Sequence, residues 1–383
     1  MNQLATARSC HSPCEDEHTR LVLVGPTPPP VHGVSVMTGE LIGALAQLDL
    51  LADHLDTRDP RPHETIGRFD LTNVWLALRH SWGLHRLLTV HRRAAVYVPI
   101  SQSALGYLRD ALLVAIARAH RRRLYLHLHG ADFRAFFDGT NAIMRGIIRL
   151  TLTAAHQLWI LTPALAASFE GLIPLDRLFA LENVVSDYLP SPATYSRSNG
   201  SPDTVRILYL GNMFPAKNCF DLLAALARLG SRAASWEVRV AGAPAPSLKL
   251  RLEREISSLQ KAGVTIEAVG PVDSLEKRRQ LEWADMFVYP TAFDGQPLVL
   301  LEALAAGLPV VSTRHGAIPQ TIRHGAEGLL VDAGDIGALA DAMVTLAENR
   351  DLRRSLGLRA RARYERCYQP SRLTHDLWRL LHE

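Results

Sequence analysis

The stretch TAFDGQPLVLLEALAAGLPVVST, residues 291–313, places Asp294 before a glycine, a proline and four large apolar residues, and then adds a second acid, Glu302. A buried strand would account for the apolar run, but not for the DG before it or the EALAAG after it. The preceding MFVYPT (286–291) reads as a short buried strand. A helix then opens near Leu298, with Pro297 in its first turn, where a missing N–H costs nothing. LPVVST (308–313) reads as the next strand. Strand, loop, helix, strand is the repeating unit of a parallel sheet covered on both faces. The loop TAFDGQ therefore lies at the carboxyl end of a strand, where open α/β sheets bind their ligands.

The same alternation extends in both directions. LVLVG (21–25), AVYVPIS (95–101), LYLHLHG (124–130), QLWILT (157–162) and FALENVV (179–185) form a first series. RILYLGN (206–212), WEVRVAG (236–242), VTIEAVG (264–270), MFVYPT, LPVVST and GLLVD (328–332) form a second. Between them YLPSPATYSRSNGSPDT (188–204) is rich in Ser, Pro and Asn and reads as a linker. Two series split by a linker predict two doubly wound domains facing across one cleft. At 383 residues the chain is long enough for both. The expected division is a loose tail (1–19), an N-terminal Rossmann-like domain (20–190), a linker (191–204) and a C-terminal Rossmann-like domain (205–365).

Composition narrows the function classes. With 48% hydrophobic and 21% charged residues, the chain reads as a soluble globular enzyme. A net charge of +4, carried almost wholly by Arg, is too small to predict a nucleic-acid partner. Four cysteines are too few for a disulfide framework and predict a reducing cytoplasm. Cys10, His11, Cys14 and His18 lack the second cysteine pair of a closed zinc site. The first 18 residues have no apolar core of a signal peptide. No apolar run approaches the ~20 residues of a membrane span.

Several predicted strands end in glycine: Gly25, Gly130, Gly211, Gly242 and Gly270. Each suits a tight turn; together, at one edge of both sheets, they favour a ligand cleft. At the opening stretch, backbone N–H groups around Gln296, Leu298 and Val299 would face a phosphate beyond the helix start. Glu302, one turn further in, and Asp294, before the turn, would flank that anion. Two acids around an anion suit a nucleoside-diphosphate sugar. The plainer alternative makes Asp294 a helix cap, which leaves Glu302 on an otherwise apolar helix unexplained.

Asp294, Gly295, Pro297, Leu298 and Glu302, together with GAIPQTIRHGAEGLLVDAGD (316–335), resemble the E-x7-E region of the family 4 retaining glycosyltransferases, which have the GT-B fold. In that family the first acid contacts the donor sugar and the second the ribose; here Asp294 stands for the first Glu. LYLGNMFPAKN (208–218) resembles the family's diphosphate-binding loop. Lys217 falls on its Lys, Asn212 on its usual Arg and Asn218 on its usual Gly. GPTPPPVHGVSVMTGEL (25–41) resembles its glycine-rich loop, with Gly33 at the close approach to donor and acceptor. LHLHGADF (126–133) resembles its H-G-x-D segment, which places His129 by the reacting sugar; His127 lies on the same strand face. Asn183 matches a segment before the linker, and VGPV (269–272) the nucleobase contact. The last helix, 366–383, is expected to cross back to the first domain, as in the family.

The resemblance implies a retaining, metal-independent transferase that takes a hexose-type sugar from a UDP- or GDP-sugar, with no further cofactor. The acceptor would be a glycan, a lipid-linked molecule or a small molecule, in polysaccharide or glycoconjugate synthesis. No protein nucleophile is implied: attack comes from the front face, and the leaving diphosphate takes the acceptor's proton. Asn212 and Asp294 leave open a degenerate sugar-nucleotide-binding protein, and the architecture leaves open a 2-epimerase. The basic runs HRLLTVHRRAA (85–95) and ARAHRRR (117–123) suit either an anionic membrane, giving a cytoplasmic protein peripheral to the inner membrane face, or ordinary solvated helix ends.

Overall fold

The computed structural model describes residues 20–59, 71–186 and 204–382. The expected tail, with Cys10 and Cys14, and all of the expected linker except Thr204 lie outside these residues. The described strands form two six-stranded sheets, parallel throughout. The first contains β1 (Leu21–Gly25), β2 (Leu51–Asp56), β3 (Ala95–Ile100), β4 (Leu124–Leu128), β5 (Gln157–Ile160) and β6 (Leu178–Ala180). The second contains β7 (Val205–Leu210), β8 (Trp236–Ala241), β9 (Thr265–Gly270), β10 (Met286–Tyr289), β11 (Val310–Thr313) and β12 (Gly328–Val331). The spatial orders are β2-β1-β3-β4-β5-β6 and β12-β11-β10-β7-β8-β9. Each order reverses once, between β1 and β3 and between β7 and β10, and a crevice opens beyond the strands at each reversal.

Ten of these strands coincide with the apolar runs, and an eleventh, β6, shares only Phe179 and Ala180 with the run 179–185. The twelfth, β2, has the sequence LADHLD and lacks such a run. It is an edge strand, half-buried along its length and paired only with β1. An edge strand needs no continuous apolar stretch, so periodicity alone passes over it.

Burial on both faces explains the apolar runs. Val22 and Val24 enter a core under the helices Leu71–Val90 and Ala104–Ala119, while Leu21 and Leu23 enter a second core on the opposite face. That second core includes Leu373, Leu377, Leu380 and Leu381 of the helix Pro370–His382. Their spacing of four, three and one makes one helical stripe. The Gln157 side-chain amide donates to the Leu380 carbonyl at 3.0 Å. The last helix thus lies on the first sheet, and burying its leucines is worth about 1.5–3 kcal/mol each.

The helix of the opening stretch spans Leu298–Ala305. Pro297 is its N-cap, with φ −64° and ψ 127°, rather than a residue of its first turn. The fixed proline φ serves an extended cap as well as a helical position, which is why the sequence placed it one residue too far in.

Candidate active site

The second sheet brings Lys217 and Asp294 together. They lie on the loops after β7 and β10, the two strands that flank the reversal. Lys217 forms an ion pair with Asp294. The Tyr289 hydroxyl donates to the other carboxylate oxygen at 2.8 Å, and the Thr291 hydroxyl donates to it at 2.9 Å. Asp294 is therefore held on three sides and does not cap the helix; Pro297 occupies the cap. Besides the sugar contact expected of it, Asp294 neutralises the lysine.

The β7 loop is shaped by close backbone packing. Gly242 has φ +130°, and a Cβ there would run into the Gly211 carbonyl, so the turns after β7 and β8 sit against each other. Lys217 ends the short turn Pro215–Lys217, and Asn218 follows with φ +50°. Asn is among the few residues that accept this left-handed conformation, which explains how it stands where glycine was expected. Asn212 is exposed, and its side-chain oxygen accepts from the Ala243 N–H at 3.4 Å.

Glu302 is buried and pairs with Lys277, on the helix Ser274–Trp283 that follows β9. The chain has four lysines among its 42 basic residues, and two of them pair with Asp294 and Glu302. A lysine presents a compact charge that suits a phosphate or carboxylate as a point contact. Sequence reasoning singled out VGPV (269–272) but missed Lys277 just beyond it. Its scarcity as a lysine was the available signal.

Across the cleft, the β4 end carries His129. Tyr97 of β3 places its hydroxyl 2.9 Å from Nδ1 of His127 and 3.2 Å from Nε2 of His129. The two imidazoles are tilted by 40° to each other, with centroids 3.9 Å apart. Burial, opposed by a hydrogen bond to the Asn183 side chain and aided by the charge of His32, lowers the His129 pKa to about 4. Burial and its histidine neighbour hold His127 well below the ordinary range. Both rings are neutral at neutral pH, so His129 can offer a hydrogen bond but no positive charge. Tyr97 and His32 were not singled out from the sequence; alternation in AVYVPI puts Tyr97 on one face, but only the β3–β4 pairing brings it to the histidines.

The two halves touch at this point. A Cβ on Gly295 would lie 2.8 Å from Leu161 Cδ1 and 3.2 Å from the His129 carbonyl oxygen. Gly316 has φ +54°, and a Cβ there would come within 2.5 Å of the Asp294 carbonyl and 3.1 Å of Ala131. Gln296, expected at the phosphate, has its side chain committed elsewhere. Its oxygen accepts from the Asn183 N–H at 2.7 Å, its amide donates to Thr321 at 3.2 Å, and its carbonyl accepts from the Asn183 side chain at 2.8 Å. A buried amide must be satisfied, and here it is satisfied by joining the halves. Leu298 packs against cores of both halves, and Val299 against the core of the second. Gly33 opens the helix Gly33–Gln47 behind the His32 cap, with no atom within 4 Å of the position a Cβ would take. Among the described residues no three His, Cys, Asp or Glu side chains converge as a metal-holding group.

This arrangement suits a ligand with an anionic centre and hydroxyl-rich ends. Lys217 and the start of the helix Leu298–Ala305 supply positive charge at the reversal of the second sheet. Asp294 and Glu302 supply acceptors on either side of it.

Residues 204–349 match the family model described as "Glycosyl transferases group 1". The chain is 24% identical over 271 residues to N-acetyl-alpha-D-glucosaminyl L-malate synthase of Bacillus anthracis, covering 70% of this chain and 68% of that one. It is 28% identical over 221 residues to the amylovoran biosynthesis glycosyltransferase AmsK of Erwinia amylovora, covering 53% and 54%. The structure of Anabaena HepE in complex with UDP-glucose superposes with a TM-score of 0.69 at 15% identity, over 95% of this chain and 100% of that one. Residues 204–349 thus match a group 1 glycosyltransferase domain, and the two facing parallel sheets share the GT-B fold of the superposed structure.

Proposed function

We propose that the chain is a retaining glycosyltransferase of the family 4 type. It moves a hexose-type sugar from a UDP- or GDP-sugar to a glycan, lipid-linked or small-molecule acceptor. The observation that carries this reading is the convergence of Lys217 and Asp294 at the reversal of the second sheet, opposite His129 at the end of β4. In this reading the donor diphosphate lies between Lys217 and the helix start, and displaces the lysine from Asp294. Glu302 takes the ribose and Asp294 the transferring sugar. Breaking the glycosidic bond leaves extra charge on the diphosphate, which Lys217 offsets. The leaving diphosphate takes the acceptor's proton, so neither acid acts as a nucleophile. A UDP-sugar donor is supported by HepE, whose structure holds UDP-glucose. A role in polysaccharide synthesis is supported by the amylovoran enzyme. The basic runs 85–95 and 117–123 support work at an anionic membrane face.

The test is transfer to an acceptor followed by proton NMR, with and without EDTA. The reading expects the new bond to keep the donor's anomeric configuration and the rate to survive EDTA. An inverted product, or a rate lost to EDTA and restored by one divalent metal, would overturn it.

A further inference from the structure

The outer face of the first sheet carries an apolar ridge that the cleft does not use. On the helix Leu71–Val90, the residues Leu71, Trp75, Leu78 and Trp82 recur at four, three and four. That spacing makes one helical stripe, and all four are exposed, Leu71 by 85% and Trp82 by 62%. The neighbouring helix Ala104–Ala119 exposes Leu105, Leu108 and Leu112 at three and four. These two helices meet where the His85 and His120 rings lie 3.0 Å apart at Nδ1 and Nε2. A third helix on the same face, Ala142–Thr153, exposes Ile143 and Leu150. These helices hold eleven of the nineteen large apolar residues exposed among the described ones. The ridge is thus a concentrated feature rather than the scatter every surface shows.

Its charge is equally one-sided. Residues 71–123 contain nine arginines and a single acid, Asp110, although the whole chain is only +4. Asp110 is buried, accepts from the Ser101 N–H at 2.8 Å and pairs with Arg109 at 2.7 Å. Its charge is spent inside. Arg79 and Arg86 lie over the rings of Trp75 and Trp82, at 5.4 and 5.0 Å. A face that is apolar, tryptophan-bearing and basic without acids is complementary to the headgroup layer of an anionic bilayer. A second copy of the chain would bring like charges together. No helix among the described residues is long and apolar enough to cross a membrane, so the contact would be interfacial.

We propose that this three-helix face is a docking surface for an anionic lipid bilayer. A helix of 20 residues is about 30 Å long, against about 20 Å for the six-residue β3, and it runs opposite to the strands. The ridge therefore extends past the carboxyl ends of the first sheet, and its Leu71 end lies towards the cleft. A docked chain would hold its cleft beside the membrane, where a lipid-linked acceptor is found.

The test is co-sedimentation of the full chain with vesicles of phosphatidylcholine alone or with roughly a third phosphatidylglycerol. The proposal expects binding at least about tenfold tighter to the anionic vesicles, and loss of that preference at about 0.5 M salt. The double variant Trp75→Ala/Trp82→Ala should bind about tenfold more weakly with an unchanged melting temperature. Should it misfold, Arg86→Glu/Arg118→Glu reads the charge term separately and should lose the anionic preference. Equal binding to both vesicles, or variants that bind like the parent, would overturn the proposal. So would absent vesicle binding together with a dimer in light scattering that the tryptophan variant abolishes. The assay uses no sugar substrate, so its failure leaves the transfer reading intact.

Discussion

The pairing of Lys217 with Asp294 means that the cation and the acid cannot be varied independently. Lys217→Ala should lower transfer by about 10²–10³-fold, the scale for losing one stabiliser of developing charge. A fall of less than about threefold would remove Lys217 from the diphosphate. Asp294→Asn keeps the size of the side chain and releases Lys217 from its ion pair. UDP affinity should then be held or tightened while turnover falls. Weaker UDP binding in Asp294→Asn, measured by calorimetry, would show that the acid orders the phosphate loop rather than serving the sugar. The strand-end positions of Lys217, Asp294 and His129 were legible in the sequence because each follows an apolar run. Lys277, Tyr97 and His32 were not. Each reaches the site through packing between elements distant in the chain, which no local pattern records.

At the scale of the element, the glycines divide by what constrains them. Gly242 combines φ +130° with a Cβ position blocked by the Gly211 carbonyl, so Gly242→Ala should destabilise the second domain by more than about 2 kcal/mol. Gly33 has neither constraint. Gly33→Ala should leave the melting temperature unchanged or raise it slightly, since alanine is the better helix residue. Transfer should nevertheless fall, because a methyl group enters the cleft where the ligand is placed. Thermal melts beside an activity assay check both, and full activity in Gly33→Ala would move the ligand away from this helix start. The β10–loop–helix element was legible, with the helix starting at Leu298 as read and only Pro297 shifted from the first turn to the cap. Strand β2 was missed because its half-buried LADHLD carries no apolar run.

At the scale of the whole molecule, burial of neutral histidines sets a pH dependence. His80 and His129 have pKa values lowered from 6.5 to about 4, chiefly by burial, and burial also holds His127 well below the ordinary range. In the unfolded chain each would bind a proton near the ordinary histidine value. Their contribution is therefore complete above about pH 6.5 and is lost as pH falls from there towards 4. Glu182 and Asp221 act in the opposite sense, since burial raises their pKa, but His120, His156 and Glu327 are also lowered and act with these three histidines. Denaturant unfolding should give a lower stability at pH 5 than at pH 7; an equal or higher stability at pH 5 would mean that these histidines are not buried uncharged. The two-domain plan itself was legible, because two runs of buried parallel strands separated by a polar segment admit few other architectures. The contact between the halves through Gln296 and Asn183 was not, since a glutamine in a loop has no pattern to betray it.

The central claim is that the crevice at the second sheet's reversal holds a nucleotide sugar, with Glu302 on its ribose. Calorimetric titration of UDP-sugars and GDP-sugars into the parent chain and into Glu302→Gln tests it most directly. The account predicts one site per chain for one of the two bases. Glu302→Gln should weaken nucleotide and nucleotide sugar alike, by about 1.5–3 kcal/mol for a charged hydrogen bond. No binding of either donor class, or binding that Glu302→Gln leaves unchanged, would contradict it.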